Sequence, residues 1–273
     1  MRPRPLPAGL LMALAGWALI LWLVLPLCIL LAWSFAQGWR FPDILPQAWS
    51  LRAWQAVLSD RAGLLGSLGQ TVLVAALATL LSLLAGIPAG RALGQDRFRG
   101  RAVVHLILLA PLIVPGIAVA LGLHGVFIRL GLTGTLAGVV LVHLVPTLPY
   151  VTLVMAAIFA RHDPAFEAQA RSLGASPAQT FRHVTLPMIL PGVLVAGLFA
   201  FLVSWSQYAL TLVIGSGKVI TLPLLLYSFA GAGRHDIAGA IAVIYVLPGA
   251  LILIVTARRL TGRNPALAAL GRP

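Results

Sequence analysis

The stretch DPAFEAQARSLG, from Asp163 to Gly174, interrupts a chain that is otherwise dominated by long apolar runs. Asp163 is a good N-cap residue, and Pro164 suits the first helical position, where its missing N–H costs nothing. Strong helix formers follow. Gly174 then suits the left-handed position just past a helix C-terminus. The stretch therefore predicts a short helix that ends at a sharp turn.

The residues after Gly174 predict a second short helix that starts at once. Ser176 is a good N-cap residue, Pro177 suits the first helical position, and Gln179 completes a capping box. This helix is expected to reach about His183, and Pro187 is expected to stop further helix. We call these two helices the hairpin, and the hinge between them is predicted at Gly174–Ala175.

Apolar residues follow helical spacing along the hairpin. Phe166, Ala170 and Leu173 fall at positions i, i+4 and i+7, and we call them the apolar stripe. Phe181 and Val184 extend it. So small a hairpin cannot bury such a face alone. It therefore either folds under its own helical bundle or docks into the groove of a partner.

On both sides of the hairpin the composition is that of a membrane protein. The 273 residues are 60% hydrophobic and 9% charged, against about 25% charged residues in soluble domains. About 20 apolar residues cross a bilayer as a helix. Six runs are predicted to do so: Leu10–Trp33, Gly66–Gly90, Val103–Phe127, Leu136–Phe159, Leu190–Ile214 and Ile237–Ala257. The expected fold is an all-α membrane protein with the hairpin, in the loop 161–188, between helices four and five.

The basic residues predict the orientation. With a cytoplasmic N-terminus, 13 Lys and Arg residues fall on the inside and 6 on the outside. The positive-inside rule then places both termini and the hairpin in the cytoplasm. The outside set is Arg40, Arg52, Arg61, Arg129, Lys218 and Arg234. The external segment 35–65 is rich in tryptophan, which usually anchors at the interface.

These features divide the chain into three predicted regions. Residues 1–65 hold the first transmembrane helix and the external segment, residues 66–258 form the transmembrane core, and residues 259–273 form a cytoplasmic tail. The net charge of +13 does not indicate nucleic-acid binding, because the basic residues are scattered between apolar runs. The expected location is the bacterial cytoplasmic membrane, with lipid as the surrounding partner.

The sequence offers no catalytic motif for ATP hydrolysis or proteolysis. The segment Gly215–Lys218 fails the phosphate-loop pattern, because Leu212 and Val219 occupy its Gly and Ser/Thr positions. There is no H-E-x-x-H and no G-x-S-x-G. None of the six acidic residues is centred in a predicted span, which argues against a proton-coupled carrier. We therefore expect a chain that is not an enzyme and binds no cofactor.

The segment from Glu167 to Gly192 resembles the EAA loop of type I ABC importer permeases, the inner-membrane components of binding-protein-dependent transport systems. The matching pattern is EA-x5-GA-x5-F-x2-V-x-LP-x3-PG, and it lies between the predicted fourth and fifth spans. Gln169 departs from the family, which usually has a small Ala there. The resemblance covers about Gly66 to Arg258, and the loop is its strongest part.

The resemblance implies that the hairpin is the coupling element that meets a cytoplasmic ATPase. Glu167, at an exposed helix start, would then meet a basic or polar group on the ATPase. For Gly174, Ser176 and Pro177 a purely structural role suffices. The implied coupling residues are Phe166, Glu167, Ala168, Ala170, Leu173, Gly174 and Ala175. The implied partners are an ABC ATPase dimer that uses ATP and Mg, a second permease subunit and an external solute-binding protein.

Two further patterns lie within the predicted spans. A polar cluster in span five is expected either to line the translocation pathway or to hold helices together; its members are Ser204, Trp205, Gln207 and Tyr208. Gly86, Gly90 and Gly94 recur at four-residue spacing, which predicts close helix packing. His143 and the other histidines of spans three and four are expected to be packing or hydrogen-bonding residues.

The leading hypothesis is thus an importer permease for a small solute. The Leu173-Gly174-Ala175 form of the loop resembles that of importers of the polyamine, ferric iron, thiamine or phosphonate type. Residues 220–228 resemble the polyamine branch, although a polycation path without carboxylates is electrostatically odd. An ion-coupled, single-chain secondary transporter is the alternative and would transport solute alone. A third possibility is a membrane scaffold or assembly factor, whose deletion would leave solute uptake unchanged.

Overall fold

The computed structural model of the chain describes residues 8–39 and 42–261. The predicted positions of Arg2, Arg4 and Arg40, and residues 262–273 of the predicted tail, lie outside the described residues. The chain folds into two compact units. One combines residues up to Leu65 with those from Leu225 onward, and the other is Gly66–Leu224.

The first unit is built on a pair of long helices, α1 (Ala8–Phe35) and α12 (His235–Thr261), which pack together. After α1 the chain forms a two-stranded antiparallel ribbon of β1 (Ala36–Gln37) and β2 (Ala48–Trp49). The short helix α2 (Arg52–Leu58) follows and packs against both long helices. It does so through Ala53 and Val57, which are buried and lie one turn apart.

The second unit contains the remaining helices. In chain order they are α3 (Leu64–Gln95), α4 (Arg101–Ile113), α5 (Gly116–Arg129), α6 (Leu136–Phe159), α7 (Ala165–Ser172), α8 (Pro177–Thr180), a π-helical turn (Phe181–Thr185), α9 (Leu186–Trp205) and α10 (Ala209–Gly215). The helix α11 (Leu222–Gly231) leads from this unit into the first. The core lies between α6 and α9, where Val151, Met155, Ile189 and Ala196 are buried.

Among the described residues, four helical segments are long and apolar enough to cross a membrane: those in α1, α3 and α6, and the continuous segment Pro177–Trp205. The pair α4 and α5 qualifies as a fifth span if it is counted as one. The run Leu136–Phe159 predicted from the sequence coincides with α6. The structure is therefore a largely helical membrane protein, as expected.

Two of the predicted spans are not continuous helices. The third bends by 107° between α4 and α5. Pro115 is the physical reason, because it disfavours helical geometry at the preceding residue, and Val114 is extended with ψ 132°. The fifth breaks at residues 206–208, between α9 and α10.

The expected stop at Pro187 was also wrong. The chain passes from α8 through the π-helical turn into α9 without leaving helical geometry. Pro187 lies at the start of α9, where its missing N–H is tolerated because the π-helical turn has already altered the hydrogen-bond pattern. The second hairpin helix is thus continuous with a membrane-spanning helix.

The glycines of α3 pack against α6, as predicted. A Cβ atom on Gly90 would lie 2.5 Å from Met155 Cβ and 2.9 Å from the backbone nitrogen of Ala156. A Cβ on Gly86 would lie 2.6 Å from Val151 Cγ1, and one on Gly94 would meet the same helix. No side chain fits at these three positions, which we call the glycine seam. The two helices α3 and α6 therefore approach each other backbone to backbone.

Candidate functional site

The hairpin has the local structure that its sequence predicts. Asp163 Oδ1 accepts a hydrogen bond from the Ala165 N–H at 2.9 Å. Ser176 and Gln179 form the reciprocal capping box, with distances of 3.3 and 2.8 Å. Gly174 has φ +88°, the left-handed conformation that glycine adopts without strain.

The apolar stripe faces outward from the bundle. Phe166 is 49% exposed and Leu173 is 89% exposed, and Phe181 is exposed as well. Ala170 is half-buried between them. Large apolar side chains this open on a short, well-capped hairpin form a surface typical of a docking site. The sequence left two alternatives for the apolar stripe: folding under its own helical bundle or docking into a partner's groove. The exposure of Phe166 and Leu173 excludes the first alternative for these two residues.

Glu167, in contrast, is turned inward, and the expectation that it is exposed was wrong. The residue is only 4% exposed. Its Oε2 accepts a hydrogen bond from Arg91 Nη2 at 2.6 Å, and its Oε1 accepts one from Thr185 Oγ1 at 2.8 Å. Arg171, one helical turn further on, lies 3.6 Å from the same carboxylate. The reason for burial is that α3 supplies a cation directly beneath the start of α7.

His162 completes this arrangement, which we call the Glu167 cluster: Glu167, Arg91, Thr185, His162 and Arg171. The His162 Nε2 atom lies 3.3 Å from Glu167 Oε1, although the contact lacks hydrogen-bond geometry. The guanidinium of Arg91 also lies 5.7 Å from the centre of the Phe159 ring, within cation–π range. Arg91 is therefore held from two sides.

The electrostatics favour the charged carboxylate. Burial by itself raises the pKa of Glu167. The hydrogen bonds from Arg91 and Thr185, with electrostatic contributions from Arg91 and His162, outweigh burial and hold the pKa below its ordinary value. Glu167 is thus ionised at neutral pH, and one carboxylate joins α3, α7 and the turn that begins α9.

Sequence reasoning missed Arg91, His162 and Thr185 as members of this cluster. Of these three residues, Arg91 could have been noticed in the sequence, because an arginine at the end of an apolar span needs a hydrogen-bonding partner. The identity of that partner, 76 positions along the chain, depends on tertiary packing. The seven residues predicted to couple to the ATPase lie together on the hairpin. Glu167 alone among them points into the bundle.

A second polar cluster lies inside the bundle. His143 is 1% exposed, and its two ring nitrogens lie 2.8 Å from Ser204 Oγ and 2.9 Å from Thr211 Oγ1. One turn along α6, Thr147 Oγ1 contacts Ser82 Oγ at 2.7 Å. The expectation of a hydrogen-bonding role for His143 is confirmed. Hydrogen bonds therefore link α6 to α3, α9 and α10 across the break in the fifth span.

We predict that His143→Leu lowers the free energy of unfolding by about 1–2 kcal/mol. The substitution leaves the buried Ser204 hydroxyl without its hydrogen-bond partner and weakens the attachment of α10. Thermal unfolding of the purified chain in detergent measures the effect. His124→Leu is the matched control, because His124 lies in α5, is half-buried and has no hydrogen bond among the described residues. Equal effects of the two substitutions would contradict a role for this network.

The residues predicted to line a pathway separate into two groups. Ser204 and Trp205 are buried. Gln207 lines a cleft of about 290 Å³ together with Tyr150 and Pro146, where the breaks in the third and fifth spans come together. Tyr208, next to Gln207, is half-buried. Ser204 therefore holds helices together, and Gln207 is the member of the set that faces an open space.

The fold is that of a polytopic helical membrane protein that presents an exposed helical hairpin. The fold is similar to that of a chain in the crystal structure of a bacterial ABC transporter involved in the import of the acidic polysaccharide alginate. The TM-score is 0.69 at 22% identity, over 94% of this chain and 99% of the other. It is also similar to a chain of the MetNI methionine ABC transporter in an inward-facing conformation, with a TM-score of 0.57, 17% identity and coverage of 76% and 96%.

Residues 82–263 match the family described as binding-protein-dependent transport system inner membrane component, and the chain belongs to that family. A relative described as a 2-aminoethylphosphonate transport permease of Salmonella typhimurium is 30% identical over 86% of this chain and 88% of its own. A molybdenum transport permease of Mycobacterium tuberculosis is 32% identical, with coverage of 67% and 75%. A spermidine/putrescine permease of Haemophilus influenzae is 26% identical, with coverage of 89% and 93%. The chain is therefore a permease subunit of an ABC importer and not an enzyme.

Proposed function

We propose that this chain crosses the bacterial inner membrane six times, with both termini and the hairpin in the cytoplasm. The sixth span is α12, whose 27 residues exceed the length needed to cross the hydrocarbon core. The distribution of 13 against 6 basic residues supports the orientation. The hairpin then faces the compartment in which ATP is hydrolysed.

The hairpin is the proposed docking element for the dimer of ABC ATPases, which binds ATP and Mg. One observation carries this proposal: Leu173 is 89% exposed at the tip of a hairpin whose second helix begins with a complete capping box. An apolar side chain with no stabilising role in its own chain is the kind of group that a partner's groove accepts. Phe166 and Phe181 extend the same contact surface.

Glu167 has a different proposed role within the coupling set. Its carboxylate is occupied by Arg91 and Thr185, so it acts on the ATPase contact indirectly. We propose that it fastens the hairpin to α3 and to the turn before α9. Movement of the docked hairpin is then passed directly to two membrane-spanning helices.

The proposed cargo is a small, charged, hydrophilic solute delivered by an external binding protein. Relatives are described as permeases for 2-aminoethylphosphonate, molybdenum and polyamines. The cleft at Gln207, about 290 Å³, lies at the lower end of ligand pockets, which run from about 300 to 1,000 Å³. Its lining has no charged side chain. Charge recognition is therefore assigned to the binding protein and to a second permease subunit.

The test is copurification of the candidate ATPase with Leu173→Asp. A carboxylate at the centre of an apolar contact remains unpaired when it is desolvated, so we expect at least about a tenfold loss of ATPase binding. The amount of ATPase retained per permease chain, in detergent, is the measurement. Leu130→Asp is the matched control, because Leu130 is 64% exposed in the turn between α5 and α6, which is assigned to the opposite side of the membrane.

Retention of the ATPase by the control and its loss in Leu173→Asp support the docking role. Equal retention by both variants contradicts it. Solute uptake by vesicles that contain this chain alone, driven by an ion gradient, would instead establish the single-chain secondary transporter. Unchanged uptake after deletion of the chain would favour a scaffold or assembly factor.

A further inference from the structure

Three arginines converge on one cleft in the first unit. Arg52 lies on α2, Arg61 follows that helix, and Arg234 precedes α12. With Gln55 and Phe229 they line a space of about 310 Å³. All three belong to the six basic residues that the sequence assigns to the external side. The positive-inside rule disfavours that side, so their convergence requires a physical explanation.

The cleft carries an excess of positive charge. Asp236 engages Arg234 through both carboxylate oxygens, at 3.1 and 3.1 Å. Asp60, the neighbour of Arg61, accepts a hydrogen bond from the Leu65 N–H at 2.9 Å. Within the described residues, no carboxylate lies within ion-pair distance of Arg52 or Arg61. Two guanidinium groups are therefore available for an anion.

Tryptophans indicate the depth of this cleft relative to a bilayer. At the end of α1 the ring of Trp33 stacks on that of Trp39, with 4.7 Å between centroids. Trp54 of α2 donates a hydrogen bond to Ser34 Oγ at 3.2 Å, and Trp49 is 63% exposed. Tryptophans gather at the level of lipid headgroups. We therefore expect the segment that holds Arg52 to lie at headgroup depth.

The helix α2 presents a second face that suits this depth. Leu51, just before it, and Leu58 at its end lie two turns apart and are 59% and 71% exposed. Exposed leucines beside arginines, on a short helix among tryptophans, are typical of a segment lying in the membrane interface. A ligand of the cleft is then a group with negative charge at the membrane surface.

We propose that this cleft binds the phosphate of an anionic phospholipid headgroup. Guanidinium groups match phosphate oxygens geometrically, through paired N–H donors. The acyl chains would lie beside Leu51 and Leu58. The proposal rests on the proposed topology only for the choice of leaflet, which is the external one. An acidic side chain of a protein partner is the competing ligand, and the exposed leucines at the same depth favour lipid over it.

The test uses the purified full-length chain in neutral detergent, titrated with dioctanoyl phosphatidylglycerol, dioctanoyl phosphatidylcholine or inorganic phosphate. The thermal unfolding midpoint is the readout. We expect phosphatidylglycerol alone to raise the midpoint with saturation. Replacing both free arginines, in Arg52→Gln/Arg61→Gln, should weaken its apparent affinity roughly 30-fold, because each surface arginine contributes to binding of anionic lipid.

The matched control is Arg97→Gln/Arg99→Gln, which removes the same charge from exposed positions before α4. It should keep the affinity of the unmodified chain. Three results would overturn the proposal: equal shifts with phosphatidylcholine, equal shifts with inorganic phosphate, or an affinity of Arg52→Gln/Arg61→Gln for phosphatidylglycerol no weaker than that of Arg97→Gln/Arg99→Gln. The last result would favour an acidic side chain of a protein partner as the ligand. The measurement needs neither ATPase nor transport, so its failure leaves the permease assignment intact.

Discussion

Replacing Glu167 with alanine is expected to reduce ATP-driven uptake by about 100-fold. The substitution leaves the guanidinium of Arg91 and the buried hydroxyl of Thr185 without their shared acceptor. Breaking a fully buried ion pair costs about 3–5 kcal/mol, and the 38% exposure of Arg91 reduces this to about 2–3 kcal/mol. The hairpin then detaches from α3, although its own caps keep it folded. Uptake of solute by the reconstituted transporter is the measurement.

Three variants separate this role from a general loss of stability. Glu167→Gln keeps an acceptor for Thr185 and should lose less uptake than alanine. Arg171→Gln removes only an exposed partner and should change uptake by no more than about fivefold, because surface ion pairs contribute about 0–1 kcal/mol. The reversed pair Arg91→Glu/Glu167→Arg should recover part of the loss. Full uptake by Glu167→Ala would show that the carboxylate has no part in coupling.

The same contacts imply a pH dependence with a definite sign. The pKa of Glu167 is lower in the folded chain than its ordinary value of 4.5. The stabilisation is therefore fully present above that ordinary value and is lost as the pH falls through the lowered folded pKa. At neutral pH the cluster is intact.

Replacing Gly90 with valine is expected to strongly destabilise the second unit. Its Cβ would meet Met155 Cβ at 2.5 Å, and the backbone atoms Ala156 N and Thr152 O both at 2.9 Å. Backbone atoms cannot turn aside as a side chain does, so α3 must move away from α6. Overpacking of this kind costs about 3 kcal/mol or more. The yield of folded chain and its thermal midpoint in detergent measure the effect.

Gly69→Val provides the matched control on the same helix. Nothing lies within 4 Å of a Cβ atom at that position. The substitution should leave the midpoint nearly unchanged. If Gly90→Val also left the midpoint unchanged, the close approach of α3 and α6 would not contribute to the stability of the folded chain.

Local chemistry made much of this fold predictable. The second hairpin helix begins where Ser176, Pro177 and Gln179 place it, and its start requires no distant contact. The apolar run of α6 matches the helix from Leu136 to Phe159, because its length and polar boundaries are set within the run. The spacing of Gly86, Gly90 and Gly94 likewise predicted a close helix contact.

Other features depend on contacts between distant residues. Charge and helical position alone place Glu167 on the surface, and only the approach of Arg91 from α3 explains its burial. Pro111 and Pro115 lie in the third span, but a hydropathy run does not show that the chain makes a 107° bend there. The fifth span breaks at residues 206–208, where the sequence has polar side chains but no proline or glycine that would predict a break. The partners of His143 lie on other helices and are 61 and 68 positions away.

The 32 residues of α3 correspond to about 48 Å of helix, well beyond the roughly 30 Å of hydrocarbon. Arg91 lies near its end, one turn past Pro88, which would ordinarily act as a flexible joint. Gly86 and Gly90 flank that proline, and the close packing of the glycine seam against α6 restricts bending at Pro88. We therefore expect a movement at Glu167 to be transmitted by a stiff pair of helices, with little of it lost by bending at Pro88.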